Sequence, residues 1–203
     1  MECAMTHDLF LALLGFAFVT SVTPGPNNMM LLASGVNFGV RRTLPHMLGI
    51  SIGHAVMVFL VGLGVAGVFA AYPLALTGLK VAAVGYMLWL AWKIARSGAP
   101  GEGRAAGRPM TFLQAAAFQW VNPKAWAMAL GAVAAYVPAP SVGAYALVAV
   151  VFAGVNLPSV AVWAAAGQGL RRWLDGPGRL RLFNWGMAGL LVASLWPVVM
   201  LEL

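Results

Sequence analysis

Two polar, proline-bearing stretches lie where this sequence is otherwise most apolar. TPGPNN occupies 23–28, inside a run without Asp, Glu, Lys or Arg from Leu9 to Val40. NPK occupies 122–124, within QWVNPKAWAM. Proline lacks an N–H and collides with the preceding turn, so each stretch interrupts a helix. In hydrocarbon, a broken helix is tolerated only against protein or a polar cavity. A half-helix restarting near Pro26 presents unpaired amides and the positive end of its dipole, which suits an anionic group. Thr23, Pro24, Gly25 and Pro26 form the breakpoint. Asn27 and Asn28 both donate and accept, so they fit a zwitterion, an exposed carbonyl or a helix cap. Asn122, Pro123 and Lys124 are their counterparts in the second stretch.

Three further groups invite chemistry. Lys124 sits where a charge costs several kcal/mol unless paired or wetted. It either snorkels toward the basic end of its helix or faces a cavity, where it would meet a carboxylate. His54 is the one group in its span that titrates near neutral pH, so it is a proton-coupling candidate or a hydrogen-bonded structural residue. Asn156, with Pro158 in VNLPSV, falls at the matching depth in the second half and suggests a polar kink on the same cavity. Gly49 and Gly53 make a small-xxx-small pair suited to close helix packing. Lys80 reads as snorkelling, His46 as interfacial, and Gln168 carries little information.

These groups must be held by membrane helices. Apolar residues make up 62% of the 203 and charged residues 8%. An ordinary soluble domain has about 25% charged residues and too little interior to hide this much apolar surface. The reading is an all-α polytopic membrane protein in a lipid bilayer. A span needs roughly 20 residues. Breaks at Tyr72-Pro73 and VPAPS (137–141) divide the longest uncharged runs, giving six helices at about 9–35, 44–70, 74–94, 112–136, 142–168 and 182–201. Ten of the twelve Lys and Arg fall in the connections after helices 1, 3 and 5. By the positive-inside rule those connections are cytoplasmic and both termini periplasmic. Trp89, Trp92, Trp173 and Trp185 read as interface anchors.

Helices 1 and 4 both carry breaks, about equally deep. Three helices per half is an odd number, so equivalent halves insert with opposite orientation. The expected organisation is one membrane domain over 1–203, with halves 1–96 and 111–203 joined by a flexible cytoplasmic loop at 97–110. Paired broken helices in two inverted three-helix repeats place a transport site near the midplane.

TPGPNNMMLLASGVNFGVRR, GISIGH, KVAAVGYMLWLAWKIA and FQWVNPKAWAM together resemble the LysE/RhtB family of amino-acid exporters over essentially the whole chain. The cysteine/O-acetylserine and neutral amino-acid branch looks most similar. Ala83 departs from the glycine often found there. The resemblance implies outward transport of an amino acid or related small metabolite across the bacterial inner membrane, driven by protons or membrane potential. Lysine-exporting relatives carry an acid near the position of His54, so a histidine suits a less cationic substrate.

Other classes fit less well. No span holds Asp or Glu; the acids are Glu2, Asp8, Glu102, Asp175 and Glu202. A membrane enzyme would need paired carboxylates, a metal cluster or a serine with its base. The lone Cys3 excludes a thiol-redox carrier. The net charge of +7 follows topology rather than a nucleic-acid surface. No cofactor or metal is implied. A passive channel stays as the alternative, and glycine-rich faces leave a homo-oligomer open.

Overall fold

The computed structural model describes residues 5–97, 108–174 and 176–196. Cys3, Glu2, Glu102, Arg104, Asp175 and Glu202 lie outside the described residues, as do 98–107 of the expected loop and the end of the last predicted helix. Among the described residues all regular structure is helical.

Helix α1 (His7–Val22) starts at Thr6, whose hydroxyl accepts the Leu9 N–H at 3.2 Å. It stops at Val22 because neither Pro24 nor Pro26 can donate to the preceding turn. Helix α2 (Pro26–Phe38) then leaves at 54° to α1. Gly39 joins α2 to α3 (Val40–Gly62) with φ of 76°, a conformation that favours glycine. The expected second helix, 44–70, is instead two. It ends at Gly62, and Gly64 (φ 101°) turns the chain into the short α4 (Val65–Ala71). Helix α5 (Pro73–Ala95) follows.

The fourth predicted helix is likewise divided. Helix α6 (Phe112–Phe118) opens with a Thr111/Gln114 capping box, continues as a 3-10 turn over Gln119–Val121, and breaks at Asn122. Helix α7 (Pro123–Tyr136) restarts with proline at its first position. Helix α8 (Val142–Leu170) runs through Pro158 as one helix, so the expected kink there does not divide it. Helix α9 (Pro177–Ala193) begins five residues earlier than its prediction at 182.

Three stretches are individually long and apolar enough to cross a bilayer: Val40–Gly62, Thr77–Ala95 and Val142–Trp173. The bent pair α1–α2 makes a fourth. Large apolar side chains such as Leu74, Val81, Val150 and Leu182 are exposed, as expected where the solvent is hydrocarbon. Helix α8 is central, packing against α1, α2 and α3.

The buried side chains fall into two apolar clusters. One contains Met30, Leu31, Met47, Ile50, Met87, Phe118 and Val160. The other contains Leu13, Ala17, Met57, Val58, Ala129, Val148 and Phe152. Each of α1–α2, α3, α6–α7 and α8 passes from one cluster to the other. Between them each contributes buried polar groups: Ser21 and Asn28, Ser51 and His54, Gln119 and Asn122, and Asn156. Burying such groups costs free energy unless they find partners, so this layer needs an explanation that packing alone does not supply.

Candidate functional site

The two helix breaks meet in that polar layer. Asn27 Nδ2 donates to Gln119 Oε1 at 2.9 Å, and Gln119 Nε2 returns a bond to Asn27 Oδ1 at 3.2 Å. Lys124 Nζ donates to Thr23 O at 2.7 Å, Thr23 Oγ1 at 3.0 Å and Pro24 O at 3.3 Å. The ammonium therefore sits at the negative end of the α1 dipole, where a cation is favoured. It does not snorkel away from the break.

The carbonyls freed by the prolines are all accounted for. A continuous helix would offer Thr20 O, Ser21 O and Val22 O the amides of residues 24, 25 and 26. Instead Thr23 Oγ1 donates to Thr20 O at 3.2 Å, Asn28 Nδ2 to Ser21 O at 2.9 Å, and Trp163 Nε1 to Val22 O at 3.0 Å. Asn28 Nδ2 also donates to Thr23 O at 2.7 Å. Leaving one such buried acceptor unpaired costs about 1–3 kcal/mol, so the break is built rather than accidental. The opposite side of the break is treated differently: no side chain caps the first amides of α2.

A second relay joins three helices. Ser51 Oγ donates to Asn156 Oδ1 at 3.0 Å, and Asn156 Nδ2 donates to Ser21 Oγ at 3.1 Å. Beside it lies His54, buried, with neither ring nitrogen hydrogen-bonded. Its ring meets Phe152 edge-on, with centroids 5.2 Å apart. The hydrogen-bonded structural role considered for His54 is therefore not what the fold provides.

Gly25, Asn27, Asn28, His54, Asn122, Lys124 and Asn156 line one cavity of about 20 Å³. That is room for about one water. Thr23 and Pro24 do not line it, but their carbonyls hold Lys124, which does. Pro26 and Pro123 are the first residues of α2 and α7. Gly49 and Gly53 lie elsewhere, against α6: a Cβ on Gly49 would overlap Phe112 O, and one on Gly53 would overlap the Ala116 backbone. Among the described residues no cluster of three or more His, Cys, Asp or Glu could hold a metal.

A LysE type translocator family model matches residues 18–195. The chain belongs to this family. Membership makes it a translocator rather than an enzyme. It is 32% identical over 197 residues to the cysteine/O-acetylserine efflux protein of Klebsiella pneumoniae subsp. pneumoniae, covering 93% of this chain and 95% of the relative. It is also 32% identical over 178 residues to the protein of the same name from Escherichia coli K12, covering 86% and 90%. The Shigella flexneri protein of that name is 32% identical over the same length. No solved structure matches the chain.

Some site members were not singled out from the sequence. Ser21, Gln119 and Trp163 contribute through contacts to partners about 90 to 140 residues away. Polar type within an apolar run was the available signal for the first two; Trp163 has none. Gln168, which the sequence left without a role, accepts the Val40 N–H at 2.7 Å. His46, expected at the interface, is 2% exposed, because α3 begins at Val40 and carries it inward.

Proposed function

We propose that this LysE-type translocator is a secondary exporter of neutral amino acids, of the cysteine/O-acetylserine or threonine/homoserine type, in the bacterial inner membrane. The observation that carries this reading is the meeting of two helix breaks around a small cavity with both polarities of recognition. Lys124 and the uncapped α2 amides attract a carboxylate. The Thr23 and Pro24 carbonyls, held by Lys124 at 2.7 and 3.3 Å, suit an ammonium. An α-amino acid carries both groups. With room for about one water, the cavity admits an amino acid only when Lys124 leaves those carbonyls. Lys124 thus exchanges carbonyls for the carboxylate as the substrate ammonium takes its place. No described carboxylate lines the cavity, which disfavours a cationic side chain. Six spans in two inverted halves, each with one broken helix and both termini periplasmic, complete the reading.

His54 is the titratable imidazole of this cavity and the candidate for proton coupling. Imidazole is the side-chain type that takes up and releases protons near neutral pH. His54→Gln is expected to flatten the pH dependence of export while leaving counterflow of substrate intact. An unchanged pH profile would remove His54 from coupling.

The deciding experiment is transport in proteoliposomes loaded with one labelled amino acid at a time, with and without a pH gradient. Concentrative movement that collapses when the gradient is dissipated supports an exporter and names its substrate. Movement that only equilibrates supports a channel. No movement of any amino acid sinks the reading.

A further inference from the structure

A second, larger cavity of about 110 Å³ lies at the other end of α2, between α2, the start of α3, the end of α5 and Arg108–Met110. Lys93, Arg96 and Arg108 line it, with Ser34, Asn37 and His46. The Lys93 ammonium lies 4.7 Å from the Trp89 ring centroid, and the Arg96 guanidinium 4.6 Å from that of Trp92. These aromatic faces fix two cations at the rim. The one ion pair among the described residues, His7 with Asp8, is at the far end of α1, so no described carboxylate neutralises the cluster. Deeper in, His46 is buried with both ring nitrogens unpartnered. A buried imidazole pays desolvation without a compensating bond unless something else completes it.

The same cavity is connected to the first by one helix face. Asn27, Met30, Ser34 and Asn37 recur at spacings of three, four and three, so they share a stripe of α2. Asn27 lines the small cavity, and the other three line the large one. Met30 separates them, packed in the cluster with Met47, Met87 and Phe118. Unbranched methionines adapt their shape more readily than other core residues.

We infer that the Lys93/Arg96/Arg108/His46 cavity is a separate binding site for small carboxylates. It gathers the carboxylate of an amino acid at the basic mouth of the α2 path. The export reading supplies only the identity of the solute and the order of the two sites. The anion site stands on the cations, the cavity and the unpartnered imidazole.

The test uses Cys3→Ser/Ala33→Cys full-length protein in proteoliposomes. Ala33 lines the cavity and is 3% exposed. The new thiol is modified with an anionic (sulfonatoethyl) or a cationic (trimethylammonioethyl) methanethiosulfonate. Relative to a free thiol, the anionic reagent is expected to gain about tenfold over the cationic one, as a positive cleft concentrates anions. Adding Arg108→Gln, or separately Lys93→Gln, should shrink that preference. Acetate and neutral amino acids should slow the anionic reagent. An equal rate for the two reagents, no reaction with either, or protection by inorganic phosphate but not by acetate or amino acids would each overturn the carboxylate site. Protection by amino acids in protein that transports none would keep this site and remove the export reading. Transport without any protection would do the reverse.

Discussion

The two helix breaks solve one problem in different ways. At the α1–α2 break, local donors from Thr23 and Asn28 serve some of the freed carbonyls, and Trp163 of α8 and Lys124 of α7 serve the others from distant helices. At the α6–α7 break, the groups nearest the proline are served locally. Asn122 Oδ1 accepts the Lys124 N–H at 3.1 Å, Asn122 N donates to Gln119 O at 3.3 Å, and Trp126 Nε1 donates to Trp120 O at 2.8 Å. The first break thus depends in part on tertiary contacts that can be exchanged, and the second is capped from within its own segment. It is this second segment that holds out Lys124 and Gln119 to the first break. A site that must bind and release needs one adaptable wall and one fixed wall, and the two breaks divide those tasks.

The largest effect is expected where the two breaks are joined by charge. Lys124→Met removes the ammonium that the export reading hands from Thr23 O and Pro24 O to the substrate carboxylate. Hydrogen bonds to a charged group are worth roughly 1.5–3 kcal/mol, so losing that carboxylate contact should lower transport by about 10- to 100-fold. Lys124→Arg should recover part of the loss. Equal transport by Lys124→Met and the parent, measured in the same proteoliposomes, would break the comparison at its centre.

Next comes a direct contrast of the two caps. Asn28→Ala strips donors from Ser21 O and Thr23 O, and should lower stability by roughly 2–3 kcal/mol. Asn122→Ala loses a local cap worth about 1 kcal/mol. Thermal melts in one detergent should therefore rank Asn28→Ala below Asn122→Ala, while Asn122→Ala reduces transport more than expression. The reverse ranking of melts would mean that the second break, not the first, depends on its caps.

Pro26→Ala sharpens the same contrast with less damage. It restores an N–H that can compete with Trp163 for Val22 O and allow α1 to continue into α2. Export should drop several-fold with expression unchanged, since a helical N1 position accepts alanine. Full activity would show that the 54° bend is not set by this proline.

The sequence made much of this legible. Prolines inside charge-free runs located both breaks, and the uncharged runs located the long helices, because both signals are local. What escaped is long-range. Val22 O has no side-chain signature, so nothing marked Trp163 as its partner. Lys124 was recognised as an unpaired cation in apolar sequence, but its partner is backbone, which residue type cannot reveal. His46 stands close to Arg41 and Arg42 and was read with them. Its burial comes from tertiary packing around the start of α3, visible only in three dimensions. The end of α3 at Gly62 was missed because an apolar run without charge continues past Gly64, and a positive φ leaves no trace in hydropathy.

The smallest effect tests how far the distant wall is shared. Trp163→Phe keeps an aromatic ring and removes the one N–H that serves Val22 O, a neutral bond worth about 1 kcal/mol. Alone it should shift the melt slightly and leave transport near the parent. Combined with Pro26→Ala, the loss should be less than additive, because the new amide of residue 26 and the indole compete for one carbonyl. Residues sharing a partner couple in this way, whereas independent sites add. A strictly additive double mutant would mean that the helix does not rejoin at Val22. The break would then be held by Lys124, Asn28 and Thr23, with the α8 contact a bystander.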